Sequence, residues 1–351
     1  MFAYVGSYTT PDRQGRGDGL TVYRVDRRTG AFKHVQTLAI ENPTFLAFDK
    51  SGRHLYAIHG ARSEASVFSV DARSGKVALL NRQPTGGFNP VHLAFDPSGR
   101  FLALANYGSD TLAALPVRPD GSLGPYSMLT NVKGELGPHK VEQRGMYPHD
   151  IPLDRTGRFF YVPCKGGDCV IAYRLDTRRG VLVETSRVAA RPAAGPRHMD
   201  FHPKRALAYV INELNSTITT YRQDRKNGQL TPLQVIPSTP PDYTGYSTGA
   251  EIWVDRSGRN VYVSNRGHDS IGVFAIDRTS GWLSPRQWVP TKGSVPRFFC
   301  FGPDQRFLYV ANQGGHSIVG YRVEREGKLS PTAIRVKVGS PACIVFSGAP
   351  T

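Results

Sequence analysis

The chain has 351 residues, 39% of them hydrophobic, and a formal net charge of +16 at pH 7. No stretch approaches the roughly 20 apolar residues that a membrane-spanning helix needs, and the opening MFAYVGSYTT lacks the charged and apolar regions of a signal peptide. We therefore expect a cytoplasmic protein with no membrane partner. The basic residues are spread along the chain without a long run, which favours an anionic small molecule over nucleic acid as the ligand.

Cysteine content and motifs argue against a metal or cofactor site. The four cysteines, Cys164, Cys169, Cys300 and Cys343, lack the paired C-x-x-C spacing of zinc sites. In a large cytosolic chain they are expected to be buried free thiols. The sequence has no G-x-S-x-G, Walker or H-E-x-x-H motif and no nicotinamide or flavin fingerprint. We expect neither a metal nor a cofactor.

Taken in chain order, the sequence repeats one unit seven times. A partial copy, FAYVGSYTT, opens the chain. The six later copies contain GRHLYAIHG, GRFLALANYGSDTLAAL, GRFFYVPCKGGDCVIAY, RALAYVINELNSTITTY, GRNVYVSNRGHDSIGVF and QRFLYVANQGGHSIVGY. A repeat of roughly fifty residues is typical of proteins built from stacked or radial units.

Each unit predicts four short strands. A first apolar run such as VHLAFD is followed by an Asp-x-x-Gly turn, in which Asp caps its own backbone and Gly accepts a positive φ. A second run (FLYVAN), a polar turn, a third run (SIVGYRV), a Gly turn and a weaker fourth strand complete the unit. Four antiparallel strands per repeat, with almost no helical periodicity, indicate a β-propeller blade.

The ends of the chain predict how the ring closes. The first unit lacks its first strand, and SPACIVFSG near the C-terminus resembles a first strand without a blade. Pairing the two removes an open sheet edge. The predicted fold is an all-β, seven-bladed β-propeller comprising one domain over residues 1–351. Residues 124–148 and 237–249 break the period and are predicted to be long loops, which are often functional.

The repeat register places three columns of residues on one face, because the first and second strands of a blade run antiparallel. At the end of the second strand stand Tyr8, Gly60, Tyr107, Lys165, Glu213, Arg266 and Gln313, preceded in four blades by Asn106, Asn212, Asn265 and Asn312. At the start of the first strand stand Thr44, Val91, His149, Arg197, Ala250, Arg297 and Ala342, followed by Phe45, His92, Asp150, His198, Glu251, Phe298 and Cys343.

These columns predict a binding site at the mouth of the central channel. The repeated asparagines are expected to satisfy turn backbone, although Asn265 is kept as a candidate ligand contact beside His92 and Tyr107. The other columns diverge into charge, with His149, Lys165, Arg197, His198, Glu213, Glu251, Arg266 and Arg297. Buried charge must be paired, so packing alone does not explain unlike charges near an axis. The alternative is a structural ion-pair network around Glu213, which need not exclude a site.

The chain resembles the seven-bladed propeller lactonase family over essentially its whole length. The motifs that carry the resemblance are YVGSYT at 4–9, NPVHLAFDPSGRFLALANY at 89–107, YPHDI at 147–151, GPRHMDFHP at 195–203, NELNSTI at 212–218 and SNRGHDSI at 264–271. That family contains bacterial 6-phosphogluconolactonases and fungal 3-carboxy-cis,cis-muconate lactonizing enzymes. The resemblance implies active-site residues His149, Arg197, Glu213 and Arg266. The chain departs from the family in blade four, where it reads PCKGGD, and at His59-Gly60.

Lactone opening suits these residues. Water attacks the ester carbonyl, and the arginines can hold the developing oxyanion or a substrate carboxylate or phosphate. His149 or Glu213 can act as general base. A carboxylate beside two arginines should have a lowered pKa, which favours His149 as the base and leaves Glu213 to orient or donate through it.

Three functions fit the sequence. The first is a metal-independent lactonase that hydrolyses 6-phosphogluconolactone, acting as a monomer or weak homodimer. The second is a carboxymuconate cycloisomerase, because arginines bind carboxylates as readily as phosphates. The third is a non-catalytic propeller scaffold that binds a peptide or nucleic acid.

Overall fold

A computed structural model describes residues 1–348. The strands of these residues form seven antiparallel sheets arranged as the blades of a ring. The remaining regular structure consists of short 3-10 turns at Pro11–Arg13, Tyr107–Ser109 and Arg325–Gly327. The prediction of an all-β, seven-bladed propeller is therefore confirmed.

The strands follow the predicted repeat. Blade one contains β1 (Phe2–Ser7), β2 (Leu20–Val25) and β3 (Phe32–Leu38); blade two contains β4 (Pro43–Phe48), β5 (His54–His59), β6 (Glu64–Val70) and β7 (Val77–Pro84); blade three contains β8 (Pro90–Phe95), β9 (Phe101–Asn106), β10 (Thr111–Pro116) and β11 (Met128–Asn131). Blade four contains β12 (Phe160–Cys164), β13 (Cys169–Asp176) and β14 (Val181–Ala189); blade five contains β15 (Pro196–Phe201), β16 (Leu207–Asn212), β17 (Thr217–Gln223) and β18 (Leu230–Pro237). Blade six contains β19 (Thr248–Val254), β20 (Asn260–Arg266), β21 (Ser270–Ile276) and β22 (Leu283–Pro290); blade seven contains β23 (Pro296–Phe301), β24 (Phe307–Asn312), β25 (Ser317–Val323) and β26 (Leu329–Lys337); β27 is Pro341–Phe346.

The ring is closed by the last strand. β27 lies beside β1 in the order β27-β1-β2-β3, with Ala3 opposite Phe346 and Val5 opposite Ile344. The C-terminal strand thus supplies the inner strand that the first repeat lacks, as the sequence predicts. Every backbone donor of β1 can then pair within a four-stranded blade instead of facing solvent.

Tyrosines in the second strands link neighbouring blades. In six blades a buried hydroxyl donates to the carbonyl of the Gly that ends the closing turn of the next blade, over 2.6–3.4 Å: Tyr4 to Gly75, Tyr56 to Gly121, Tyr161 to Gly228, Tyr209 to Gly281, Tyr262 to Gly327 and Tyr309 to Gly30. Blade three has Ala103 at this position, and the Ser127 hydroxyl donates to the Gly180 carbonyl instead. The pattern therefore runs round the whole ring.

Two segments differ from the simple repeat. The stretch 124–148, predicted as a long loop, includes β11, the outer strand of blade three. In blade four the first strand is reduced to isolated bridges, Pro148 with Cys164 and Leu153 with Phe160. Pro152 in this segment and Pro163 in β12 have no N–H to donate, which explains why no continuous ladder forms there.

The core lies between the blades. Apolar side chains of adjacent sheets form clusters at the junctions, such as that of blades three and four around Ile171 and that of blades six and seven around Val310. All four cysteines are buried and unpaired. Residues 1–348 contain no helix long and apolar enough to cross a membrane, and no group of three or more His, Cys, Asp or Glu side chains arranged for a metal.

Candidate functional site

A small pocket opens where the first strands begin, around the axis of the ring. Its lining residues are Tyr8, Thr44, Phe45, Val91, His149, Arg197, His198, Arg297, Phe298 and Ala342. Six of them come from the column that follows the recurring proline, and they represent six different blades. The β-repeat thus brings residues that are far apart in the sequence to one small site.

Glu213 directly follows β16, and its carboxylate lies close to three cationic side chains. Its Oε2 lies 2.9 Å from Arg197 Nε and 3.2 Å from Arg266 Nη2, and its Oε1 lies 3.4 Å from Lys165 Nζ. Burial alone would raise the pKa of the Glu213 carboxyl, but Arg266, Lys165 and Arg197 together hold it well below its ordinary value. Glu213 is therefore ionised at neutral pH and shared among the three cations.

The two arginines beside Glu213 are also held by backbone. Arg197, 1% exposed, donates from Nη1 to the Ala250 carbonyl, and Arg266 donates from Nη2 to the Gly249 carbonyl at 2.9 Å. Burial, Arg266 and Arg297 lower the pKa of Arg197 to about 9. Arg197 thus keeps its charge at neutral pH, but that charge is incompletely compensated.

His149 presents a neutral ring to the pocket. Its backbone N–H donates to the Pro163 carbonyl at 2.9 Å, which fixes the chain beside β12. Its buried Nδ1 has no hydrogen-bond partner among residues 1–348. Burial, followed by Arg197 and His198, lowers the pKa of His149 well below its ordinary value. An uncharged imidazole with an unused nitrogen can accept a proton or a hydrogen bond from a ligand.

Two buried histidine–acid pairs lie beside the pocket. His198 Nδ1 is 3.0 Å from Glu251 Oε1, and His92 Nε2 is 3.0 Å from Asp150 Oδ1. Burial raises the pKa of Glu251 to about 8 and that of Asp150 well above its ordinary range, while it lowers the pKa of both histidines. Burial thus disfavours the charged form of each member of the two pairs. The His198 ring lies 5.1 Å from that of His149, centroid to centroid.

The other predicted residues take different places. Tyr107 stacks on Tyr147 at 4.6 Å and meets the His149 ring edge-on at 5.3 Å. Lys165 Nζ lies 2.7 Å from Glu142 Oε2 as well as near Glu213. Asn265 is fully buried and exchanges hydrogen bonds with Ser238, so it holds a turn and does not line the pocket. Asn106 and Asn312 likewise donate to backbone carbonyls.

The set of predicted site residues omits several residues that line the pocket. Tyr8, Thr44, Phe45, Val91, Phe298 and Ala342 belong to the same columns but carry no charge, so their residue types did not indicate a site. Arg13 lies in the loop after β1, where the repeat gives no register, and its Nη2 donates to the Tyr8 hydroxyl at 3.2 Å. Their position in the repeat register was the one feature of the sequence that indicated these neutral residues.

Comparisons with known proteins identify the family of the chain. The family described as "Lactonase, 7-bladed beta-propeller" matches residues 2–346. The chain is similar to a 6-phosphogluconolactonase of Bacillus subtilis (strain 168), with 35% identity over 98% of this chain and 97% of that protein. It is also similar to a 6-phosphogluconolactonase of Formosa agariphila, with 31% identity over 93% of this chain and 94% of that one.

A solved structure shares the whole ring. The periplasmic gluconolactonase of Pseudomonas aeruginosa superposes with a TM-score of 0.90 and 28% identity, covering 99% of both chains. The family match over residues 2–346 includes both β1 and β27. By its sequence, its seven blades and these similarities, the chain belongs to the family of seven-bladed β-propeller lactonases.

Proposed function

We propose that the protein hydrolyses a sugar lactone at the axial pocket, with 6-phosphogluconolactone as its substrate and 6-phosphogluconate as its product. The observation that carries the proposal is the neutral His149, which lines the same pocket as Arg197 and has an unpartnered Nδ1. The relatives named 6-phosphogluconolactonase support the choice of substrate.

In the proposed reaction, water attacks the lactone carbonyl while His149 accepts one of its protons. Arg197, whose Nη2 has no partner assigned within residues 1–348, donates to the carbonyl oxygen as negative charge develops there. The bond between the carbonyl carbon and the ring oxygen then breaks, and the imidazolium returns the proton to the leaving alkoxide. The product is an open-chain hydroxy acid, which ionises, so the reaction consumes one water.

Glu213 has a positioning role in this proposal. Because three cations keep its carboxylate ionised, it is a poor proton acceptor. It holds Arg197 and Arg266 at the pocket instead, and no hydrogen bond joins it to His149 in the described part of the chain. This geometry favours His149 over Glu213 as the general base.

We further propose a cytoplasmic enzyme that acts as a monomer or weak homodimer. The pocket takes its lining from six blades of one chain, so catalysis needs no second copy. A periplasmic relative is known from Pseudomonas aeruginosa, and fractionation of cells that express the full-length protein would distinguish the two compartments.

Turnover of a lactone panel tests the function. We expect hydrolysis of 6-phosphogluconolactone well above its spontaneous rate, and less activity on carboxymuconolactone, which a cycloisomerase would prefer. His149→Ala should lower kcat by about 100-fold or more, because it removes the proton acceptor.

The matched control is His34→Ala, which removes an exposed histidine far from the pocket and should leave kcat unchanged. Wild-type kcat retained by folded His149→Ala would contradict the proposed base. Absence of catalysis on every lactone would contradict the function itself.

A further inference from the structure

Arg297, the second residue of β23, differs from the other cations of the pocket. Arg197, Arg266 and Lys165 each lie within 3.4 Å of Glu213. Arg297 lines the same pocket and is half-buried, but among residues 1–348 it has no carboxylate within ion-pair distance and no hydrogen-bond acceptor. Its donors are therefore available to a ligand.

Arg297 lies against Tyr8, whose hydroxyl is also available to donate a hydrogen bond. Its guanidinium carbon is 5.5 Å from the centroid of the Tyr8 ring, and that of Arg13 is 4.8 Å from the same ring. The Tyr8 hydroxyl accepts from Arg13 Nη2, and its own hydrogen reaches no acceptor within the described chain. Burial tends to raise the pKa of Tyr8, yet Arg297 and Arg13 bring it below its ordinary value.

The charges around the pocket leave a positive excess. Arg197, Arg266, Lys165 and Arg297 supply four cations, and Glu213 and Glu142 supply two carboxylates. Glu251 is neutral near pH 7, because burial raises its pKa to about 8. Of these four cations, Arg297 alone has no carboxylate within ion-pair distance among residues 1–348, and desolvated charge requires compensation. An anionic ligand would provide it.

Resting on the proposed lactonase function, we propose that Arg297 and Tyr8 form a subsite for the phosphate group of the sugar lactone, beside the carbonyl-binding groups Arg197 and His149. The planar guanidinium can donate two parallel hydrogen bonds to phosphate oxygens, and the Tyr8 hydroxyl can add a third. The subsite selects phosphorylated lactones over neutral ones. Relatives named for phosphorylated and for unphosphorylated substrates share this fold, so such a choice must lie in particular side chains.

Three stable sugar acids test the subsite by calorimetric binding. Gluconate, glucarate and 6-phosphogluconate share a carboxylate at one end and carry a hydroxyl, a carboxylate or a phosphate at the other. We expect wild type to bind 6-phosphogluconate at least tenfold more tightly than gluconate, and Arg297→Gln to reduce that ratio by about tenfold or more. Tyr8→Phe should reduce it a few-fold.

The control is Arg278→Gln, which removes the same charge from an exposed position on the rim and should leave the ratio unchanged. An Arg297→Gln variant that keeps the wild-type ratio, or that weakens both ligands equally, overturns the subsite. A wild type that binds glucarate as tightly as 6-phosphogluconate shows a general anion site and overturns the phosphate assignment.

Binding is read without turnover, so the two proposals can fail separately. A protein that prefers 6-phosphogluconate but hydrolyses no lactone would contradict the enzyme and keep the subsite. A lactonase without the preference would do the reverse. If Arg297→Gln lowers the Tm so far that binding cannot be measured, Arg297→Lys keeps the charge but loses the fork, and it should still reduce the ratio.

Discussion

Glu213 is one carboxylate whose effect extends over the whole pocket. Its two oxygens lie within 3.4 Å of Lys165, Arg197 and Arg266, so the cations are held together without cancelling all of their charge. Removal of an acid from such a buried group leaves like charges facing one another, whereas exposed pairs contribute little. We therefore infer that the ion-pair network around Glu213 holds the side chains of the proposed binding site in position.

Glu251 gives a pH-dependent prediction. The pKa of its carboxyl is about 8 in the fold and near 4.5 in an unfolded chain. Between these values the unfolded chain releases its proton while the folded protein keeps it, so the free energy of unfolding falls as pH rises. Glu251→Gln should remove this decline. From pH 5.5 to pH 8 its stability relative to wild type should rise by about 3 kcal/mol at most, measured by urea unfolding.

The control for this prediction is the exposed Glu64→Gln, which makes the same substitution at the surface and is measured over the same pH range. His198, Asp150, Arg197 and Arg297 also surround the Glu251 side chain. A Glu251→Gln variant whose stability tracks that of wild type across this range would show that Glu251 is ionised in the fold.

At the scale of a single blade, the second strand contributes both to the hydrophobic core and to the contact with the next blade. Its Tyr packs among the buried residues of a junction, and its hydroxyl reaches a carbonyl of the next blade. This recurring bond explains why Tyr stands in the YV motif of the repeats, where Phe would fill the same space. In blade three, where Ala103 replaces the Tyr, Ser127 directly before β11 donates to the corresponding carbonyl, that of Gly180.

Tyr262→Phe tests this link. It leaves the ring in place but deprives the buried Gly327 carbonyl of its donor, so we expect the free energy of unfolding to fall by about 1–2 kcal/mol. The control is Tyr126→Phe at an exposed position, with an expected change below about 0.5 kcal/mol. Chemical denaturation of both variants would compare them, and equal stabilities would contradict a stabilising role for the inter-blade bond.

The number of blades, the order of the strands and the positions of the turns could be predicted from the sequence, because the same pattern recurs in each repeat. Blade four could not, since Pro152 and Pro163 interrupt its inner ladder while the hydrophobic pattern continues. The columns likewise predicted that His149, Arg197, His198 and Arg297 share one face. They could not predict that Arg197 forms an ion pair with Glu213 whereas Arg297 does not. Such pairings depend on side-chain orientation, which the strand register does not determine.

At the scale of the whole molecule, the last described strand closes the ring of seven blades. β27 covers the inner edge of β1, and its Ala342 also lines the pocket. Closure thus stabilises the fold and completes the site together. We propose that residues 1–351 fold as one unit for this reason.

Removal of residues 339–351 tests closure. The truncated chain exposes the β1 edge, so we expect a lower Tm and association into oligomers by size-exclusion chromatography. Addition of a peptide with the sequence of residues 339–348 should restore the monomer by occupying that edge, and a scrambled peptide should not. A truncated chain that remains monomeric at the wild-type Tm would contradict the role of β27.

The place of β27 also has a consequence for synthesis on the ribosome. Blades two to seven can pair their own strands as they emerge, because their strands are consecutive in sequence. Blade one cannot, since its inner strand is the last to be translated of those described. The nascent protein therefore holds an open arc of blades until residues 341–346 are released. The proposed anion-binding pocket lacks Ala342 until then, so a substrate bound there cannot stabilise the blades while they form.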